Sequence, residues 1–503
     1  MPKTYYTYHV RVANHELVQV EKWDSKNQSL GQPSGRFRYQ NQLTKEIKEL
    51  LQLTRNDELN DSTKSRLLGE ALFNVLFDDG LCQDFVNFYY QVVQQEKQLL
   101  RVELDIDERN MPEVAALPWE FMCLPQRANL GTIWLGTAPD LVFSRRRSQW
   151  IPPQPIQLNK NEKLRIALVV SAPSDLGSVE YQKLQTALEK LAAEQAERIE
   201  LLPVVDTANP EEVDAVLAQK PHIFHFIGHG RLQNDNNQDV GQIAFVDDLG
   251  DAIWVDADFF SGLLNRHRPG VVMLQACEGG TLSASQAFVG VASRVVQQNI
   301  PVVVAMQYEV SNSTASRFAR RFYEELAKGN PVDIATQEGR YAIALSPMQY
   351  RKRDFATPVI FMRVRDGYLF QWEEQQKSNN QKPGNPNPIN RSNPLPGELV
   401  NLQEKAQLQR ILARSDLLQT NNDRRNFLDI CGLGKYSSLM QLEQSLNNFA
   451  ISILVRLSKD SIQVESAKKP ALFVFLEYLV QMDASLSQVD QDFINDIISK
   501  WKQ

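Results

Sequence analysis

The feature that most constrains the fold is an alternation of short apolar runs with amphipathic helical segments between about residues 164 and 369. One helical segment, NPEEVDAVLAQ, begins with Asn209 as the N-cap and Pro210 at the first helical position. Strands that alternate with helices in this way form a mostly parallel sheet with helices on both faces. The segment is therefore predicted to have an α/β fold. Its apolar runs are LRIALVVSAP, IELLPVV, HIFHFI, GVVMLQA and PVVVAMQ.

The segments on either side differ in character. Residues 1–160 combine a hairpin pattern, a helix and a further strand, and they are predicted to form an α+β region packed on the domain of residues 161–372. Residues 373–398 are rich in Asn, Gln and Pro, which predicts a flexible linker. Residues 399–503 carry apolar residues at helical spacing throughout, so a separate all-α bundle of about five helices is expected.

Composition narrows the class of protein. A net charge of -7 argues against nucleic-acid binding through bulk charge, and the arginine-rich segments Ser144–Arg147 and Arg317–Arg321 are interpreted as solvated faces. No apolar run reaches the roughly 18–20 residues that span a bilayer, and the N-terminus lacks a signal core. The four cysteines have no CxxC spacing. We therefore expect a soluble cytoplasmic protein with reduced thiols.

Two chemically reactive residues follow strands of the predicted sheet. His229 follows HIFHFI, and Cys277 follows GVVMLQA. Functional groups collect beyond the carboxyl ends of parallel strands, where loops vary while the sheet stays rigid. A thiol nucleophile needs a base beside it, and these two residues supply the pair. The N–H groups of Gly230 and Cys277 are predicted to face a developing oxyanion.

The spacing of the two motifs resembles that of known peptidases. Caspases carry Gln-Ala-Cys-(Arg/Gln/Gly)-Gly about 50 residues after their histidine. Here QACEGG follows, with Cys277 48 residues after His229 and Glu278 as the one departure. HFIGHG together with QACEGG resembles the CHAT family of caspase- and separase-related cysteine peptidases. The resemblance covers roughly residues 65–370, including LPWEFMCLP and FATPVIFMRVRDGYLF.

The CHAT resemblance implies a caspase-like αβα sandwich and assigns roles to residues. His229 would be the base, Cys277 the nucleophile, and Gly230 an oxyanion donor. Gln275 and Glu278 would lie at the substrate pocket. Because Gln275 is uncharged and Glu278 stands where caspases often have Arg, strict cleavage after Asp is not implied. No cofactor or metal is expected.

The C-terminal bundle more loosely resembles the effector-associated, death-like adaptor domains of bacterial conflict systems. This resemblance implies a protein activator or a homotypic partner bound through residues 399–503, and oligomerisation as one means of activation. The family implies protein substrates, including pore-forming effectors, and a role in defence or regulated cell death.

Other residues have structural interpretations. His222 and His225 are expected to be hydrogen-bonded packing residues, because they lie on or beside a strand that helices flank. His225 and His229 have the i, i+4 spacing of a zinc-binding pair, but that spacing brings two ligands to one face only in a helix. Cys82, Cys123 and Cys431 are expected to be structural. The acidic residues between the two motifs either solvate a loop or acidify the cleft; they are Asp247, Asp248, Asp251, Asp256 and Asp258.

Three functions follow from this sequence. The first is a cytosolic cysteine endopeptidase with a Cys-His dyad. The second is a caspase-like scaffold that no longer cleaves and binds protein partners. The third is a nucleotide-binding switch, for which GLGKYSS (Gly432–Ser438) lacks the phosphate-loop spacing.

Overall fold

The described part of the chain divides into two compact units. The structure is a computed structural model that describes residues 5–12, 14–108, 110–128, 130–146, 153–235, 238–276, 282–345, 352–364, 366–372, 400, 402–412, 415–437, 446–457, 461–464, 467–483, 486 and 488–501. The units are Met1–Lys377 and Ser378–Gln503, and the division falls inside the Asn-, Gln- and Pro-rich segment. No helix in these described ranges is long and apolar enough to cross a membrane.

The first unit is built on strands that the apolar runs form. They are β1 (Tyr5–Val12), β2 (Leu17–Trp23), β3 (Ser29–Gly31), β4 (Ser34–Arg36), β5 (Leu99–Ile106), β6 (Leu141–Arg146), β7 (Ile156–Leu158), β8 (Leu164–Val170), β9 (Ile199–Leu201), β10 (Ile223–Gly228), β11 (Gly230–Asp235), β12 (Gln238–Val246), β13 (Ala252–Asp256), β14 (Val271–Ala276), β15 (Val302–Met306), β16 (Pro358–Met362) and β17 (Phe370–Trp372).

Helices connect these strands. They are α1 (Tyr39–Gln42), α2 (Lys45–Arg55), α3 (Ser62–Leu76), α4 (Asp79–Tyr89), α5 (Pro112–Ala115), α6 (Gln182–Glu194), α7 (Pro210–Ala218), α8 (Ala257–His267), α9 (Leu282–Gln297), α10 (Asn312–Ala327) and α11 (Val332–Ala344). The start of α7 is the one predicted, since the Asn209 side chain accepts a hydrogen bond from the backbone N–H of Glu212.

Twelve of these strands form one sheet, in the order β3-β2-β1-β5-β6-β16-β15-β14-β10-β8-β9 with β4 paired to β2. Pairing is parallel from β9 to β15 and again from β16 to β1, whereas β15 and β16 are antiparallel. One face of the β8–β15 half packs against α6 and α10, and the other against α7, α8 and α9. The predicted α/β fold, a mostly parallel sheet between helical layers, is confirmed.

The N-terminal region extends this sheet. Residues 1–160 were expected to pack on the sheet domain, but β6 pairs directly with β16, with Arg145 opposite Phe361. Strands β5 and β1 follow in the same sheet. The sheet is therefore continuous across the expected boundary at residue 160. The charged residues of β5 and β6 made this placement hard to anticipate, because they are buried in ion pairs.

The central ion pair joins Glu120 to Arg145, which are 0 % and 3 % exposed. Two parallel contacts connect them, Nε to Oε1 at 2.9 Å and Nη2 to Oε2 at 2.6 Å. Arg145 also donates to the carbonyls of Ala115 and Leu117. Arg340 lies close by, with Nη2 3.9 Å from Oε1 of Glu120, and burial lowers the pKa of its guanidinium to about 10.

The interpretation of Ser144–Arg147 as a solvated face is therefore wrong for the described residues of that segment. Ser144, Arg145 and Arg146 are all buried, and Arg146 lies 3.2 Å from Glu103. Arg147 lies outside the described residues. In the segment Arg317–Arg321 the arginines are exposed or partly exposed, and the last two pair with glutamates, whereas Phe318 and Ala319 are buried.

The second unit is helical apart from one short hairpin. Its described elements are α12 (Leu402–Leu412), α13 (Asn421–Ile430), α14 (Leu446–Leu457), β18 (Ser461–Val464), β19 (Ala467–Pro470), α15 (Ala471–Met482) and α16 (Gln488–Trp501). The predicted helical character of this region is confirmed. The short hairpin β18–β19 was not predicted, although Ile462 and Val464 alternate with polar residues as in a strand. The apolar helix α15 contributes most of its residues to the core of this unit.

Replacing Glu120 by Gln tests the buried ion pair. The substitution keeps the shape but leaves Arg145 without an anion in the core, so the first unit should lose about 3 kcal/mol of unfolding free energy. Urea denaturation followed by tryptophan fluorescence measures the loss, and Glu49→Gln in the exposed Lys45 pair is the matched control. Equal, small shifts of the two midpoints would show that the buried pair contributes little.

Candidate active site

The register of β10 and β14 aligns the residues that directly precede the two predicted reactive positions. The strands are parallel neighbours, and Gly228 lies opposite Ala276. His229 and Cys277 are the next residues in the chain after this pair. Since neighbouring strands lie about 5 Å apart, the last residues of β10 and β14 are adjacent. Cys277 and Glu278 themselves lie outside the described residues.

His229 lies where the chain passes from β10 into β11. Its ring is partly exposed, and Nε2 lies 2.7 Å from the carbonyl oxygen of Gly177. A carbonyl can only accept, so Nε2 carries the hydrogen in this contact. In the neutral ring, Nδ1 is then the unprotonated nitrogen that can take a proton.

Gly228 is required here for space. A Cβ at this position would lie 3.0 Å from both Phe226 Cε1 and Ser171 Cβ, and the φ of Gly228 is not in the left-handed region. Close packing of β10 against the segment after β8 therefore explains this glycine.

The backbone N–H of Gly230 points away from its ladder partner. Ala244 N donates to the carbonyl of His229 at 2.9 Å, so these two residues form the hydrogen-bonded pair of the antiparallel ladder. Gly230 and Ile243, the next pair, then occupy the non-hydrogen-bonded position. The Gly230 N–H is consequently directed away from β12, as an oxyanion donor requires.

The loop that follows β8 is held by the turn between β12 and β13. Ser174 donates through Oγ to Asp251 Oδ1 at 2.7 Å, and its N–H donates to the carbonyl of Gly250 at 2.7 Å. Asp175 Oδ1 accepts from the N–H of Ala252 at 2.8 Å. We call these contacts the loop clamp. They fix the segment that carries Gly177, whose carbonyl contacts His229.

The other acidic residues between the motifs also have structural partners. Asp247 accepts from the backbone N–H groups of residues 249 and 251, Asp256 caps α8, and Asp258 contacts Gln298. Asp248 is exposed. Most of this group therefore shapes the turn and the adjoining helix.

His225 and Gln275 lie beneath the site and contact each other. They are 0 % and 2 % exposed, with His225 Nε2 3.3 Å from Gln275 Oε1. The Nδ1 of His225 lies 2.9 Å from the hydroxyl of Tyr323 on α10. Burial lowers the pKa of His225 to about 4, so the ring is neutral at ordinary pH. Gln275, predicted to line the substrate pocket, is thus oriented by a core histidine.

His222 is a hydrogen-bonded rim residue at the opposite end of β10. Its Nδ1 accepts from the backbone N–H of Arg165 at 3.0 Å, and Nε2 lies 3.5 Å from Glu162. Burial, together with the charge of Arg165, lowers the pKa of His222 to about 4. The packing roles predicted for His222 and His225 therefore agree with the structure.

The remaining cysteines are buried and lack a base. Burial raises the pKa of the Cys123 and Cys431 thiols to about 12, and it raises that of Cys82 as well. They stay protonated at neutral pH, which makes them poor nucleophiles. Within the described ranges, no three His, Cys, Asp or Glu side chains converge as metal ligands.

Comparison with known families identifies the first unit. A model of the CHAT domain family matches residues 66–372. The chain belongs to the CHAT domain family. The matched residues span strands β5 to β17 and include both the histidine and the cysteine motifs, so the candidate site lies within the CHAT domain. No match was found among curated proteins.

Three solved structures are distantly similar to this chain. Gingipain R, an Arg-specific cysteine proteinase, is 11 % identical over 58 % of this chain and 68 % of its own, with a TM-score of 0.36. The Porphyromonas gingivalis RgpB pro- and mature domains are 12 % identical over 65 % and 78 %, with a TM-score of 0.37. The Saccharomyces cerevisiae separase–securin complex is 11 % identical over 73 % of this chain and only 30 % of that chain, with a TM-score of 0.38. At these identities and TM-scores, the similarity gives no information about the substrate of this chain.

Sequence reasoning missed several residues that support the CHAT domain site. Gly177 acts through a backbone carbonyl, which has no side-chain signature. Ser174 and Asp175 could have been found from the sequence, because they belong to the polar segment SAPSDLG that directly follows the apolar strand β8. The contact of Tyr323 with His225 spans 98 residues, and nothing near either residue indicates it.

Acidification tests the burial of His225. The unfolded residue binds a proton near pH 6.5 but the folded one only near pH 4, so stability falls as the pH decreases from 7 to 5. The contribution of His225 to this fall is about 2 kcal/mol. Urea midpoints at both pH values should show a smaller loss for His225→Gln than for the unaltered protein. Identical losses would mean that folding does not lower the pKa of His225.

Proposed function

We propose that the protein is a cysteine endopeptidase in which Cys277 is the nucleophile and His229 the base. The observation that carries the proposal is the register of β10 and β14, with Gly228 opposite Ala276, because His229 and Cys277 directly follow these two residues in the chain. The contact of His229 with Gly177 supports it further, since it leaves Nδ1 free of a proton.

The proposed reaction follows from these groups. Nδ1 of His229 takes the thiol proton of Cys277, and the thiolate sulfur forms a bond to the substrate carbonyl carbon. The N–H groups of Gly230 and Cys277 stabilise the oxyanion. His229 then donates its proton to the leaving amine as the peptide bond breaks. Water, deprotonated by His229, hydrolyses the thioester, which releases the carboxylate product and restores the thiol.

The pocket and the activation mechanism are also part of the proposal. Gln275 and Glu278 line the pocket for the substrate side chain. Residues 399–503 bind a protein activator or a second copy, and the linker of residues 373–398 lets neighbouring enzymes assemble at high effective concentration. Such a cytoplasmic enzyme would cleave protein substrates, including pore-forming effectors, in defence or regulated cell death.

A peptidyl acyloxymethyl ketone tests the dyad on the full chain. We expect modification of Cys277, which peptide mapping by mass spectrometry locates, and a rate that rises with protein concentration if assembly activates the enzyme. His229→Gln should slow modification by about 100-fold or more, because the general base is lost. Cys431→Ala is the matched control and should react normally.

The same experiment separates the peptidase from an inert scaffold. A folded protein whose Cys277 stays unmodified, even with a tightly bound activator, would exclude the peptidase. Comparison of cellular protein fragments between the unaltered protein and Cys277→Ala would then show no fragment that depends on the thiol.

The loop clamp gives a second prediction for the same reaction. Asp251→Ala removes the acceptor of Ser174 and loosens the loop that holds His229, so the modification rate of Cys277 should fall several-fold. Asp251→Asn keeps an acceptor oxygen and should restore most of the rate. Asp248→Ala removes the same charge from the same turn and should have little effect. Equal rates for Asp251→Ala and Asp248→Ala would show that the clamp does not position the histidine.

A further inference from the structure

Three polar side chains form a chain that crosses the core from α10 to β14. Tyr323 Oη lies 2.9 Å from Nδ1 of His225, and Nε2 of His225 lies 3.3 Å from Oε1 of Gln275. Tyr323 and His225 are fully buried, and Gln275 is 2 % exposed. Polar groups in such surroundings are strongly destabilising unless hydrogen-bonded, so the direction of each bond matters.

The direction of the bonds follows from the single proton of the phenol. Tyr323 Oη has two acceptors within reach, Nδ1 of His225 at 2.9 Å and Sδ of Met273 at 3.5 Å. A thioether sulfur is a weak acceptor and an imidazole nitrogen a good one, so the hydroxyl donates to Nδ1. Burial keeps His225 neutral, and its hydrogen is therefore on Nε2. Nε2 in turn donates to Oε1 of Gln275.

This chain orients the carboxamide of Gln275. Its oxygen faces His225, so its NH₂ group faces the opposite way. In the sheet, His225 lies opposite Met273, which precedes Gln275 in β14. The oxygen consequently faces the amino end of the strand, and the NH₂ group faces the carboxyl end, where the chain continues to Cys277.

We propose that Tyr323 and His225 are positioning residues that present the amide N–H groups of Gln275 to the substrate. The pocket then takes a side chain that accepts hydrogen bonds, a carboxylate or amide oxygen, at the residue before the scissile bond. A side chain that only donates, such as an ammonium group, meets N–H groups and is disfavoured. This inference rests on the proposed peptidase function.

Three peptidyl acyloxymethyl ketones that differ only in the residue next to the reactive group test the proposal. Glu is an acceptor, norleucine is apolar and Lys is a donor, on stems of similar length. The second-order rate of Cys277 modification should be highest for Glu and lowest for Lys on the full chain carrying Glu278→Gln, which removes the carboxylate of the proposed pocket and with it the charge that would favour Lys over Glu. Tyr323→Phe should reduce the ratio of Glu to norleucine rates about fivefold, the factor for one hydrogen bond.

Met273→Leu is the matched control, because it removes the sulfur while leaving the bond between Tyr323 and His225. It should leave the ratio unchanged. If Tyr323→Phe slows all three probes equally, its role is only structural and the proposal is overturned. Fastest reaction with Lys would overturn the orientation of Gln275, because the oxygen would then face the substrate.

The tautomer of His225 gives a readout that needs no substrate. Long-range ¹H–¹⁵N spectra of protein labelled at histidine nitrogen, with the His225 signals assigned by their loss in His225→Gln, should show hydrogen on Nε2. Hydrogen on Nδ1 would overturn the proposed chain. If none of the probes modifies Cys277, the peptidase function and the inferred substrate class both fail, while a hydrogen on Nε2 would still support the orientation of Gln275.

Discussion

The two halves of the sheet meet at the buried carboxylate of Glu120, which pairs with Arg145 of β6 and also accepts a hydrogen bond from the segment just after β15. Glu120 belongs to the segment before β6, and Arg340 of α11 donates to backbone carbonyls of both β6 and β16. Gln307, just after β15, donates to the same carboxylate at 3.0 Å. A buried charge is tolerated only when its partners are all in place. The N-terminal residues are therefore part of the framework that supports the sheet to which β10 and β14 belong.

Parallel pairing explains why the candidate site forms where it does. In the half of the sheet from β8 to β15, all strands end at one edge, and no loop has to be long to reach it. The histidine is held from two sides, by the strand that leads into it and by the loop after β8. That loop is itself clamped to the turn after β12. The histidine thus obtains its position from short contacts to rigid elements, which is the preorganisation that the proposed catalysis requires.

The sequence predicted those features whose signals are local. The apolar runs of β10 and β14 are evident by composition, and Asn209 with Pro210 marks the start of α7. Features that depend on distant partners were not predictable. Arg101 is buried against Asp333, which is 232 residues away in the sequence. An arginine in a strand is ordinarily expected at the surface, so its burial could not be predicted from the neighbouring residues. A backbone carbonyl such as that of Gly177 leaves no trace in the sequence, because any residue supplies one.

The histidines of HIFHFIGHG show how burial alone separates chemical roles among identical side chains. A fully buried imidazole loses most of its solvation and remains neutral, as His225 does. A neutral ring with a fixed tautomer has a donor at one end and an acceptor at the other, so it transmits the direction of a hydrogen bond across the core. A serine in its place could rotate its hydroxyl and would transmit no direction. His229, four residues later, stands at the partly exposed end of the strand, where an imidazole can exchange protons with a substrate and with water. One short strand therefore leads from a neutral, fully buried imidazole in its middle to a partly exposed one just beyond its end, and the proposed base is the second of these.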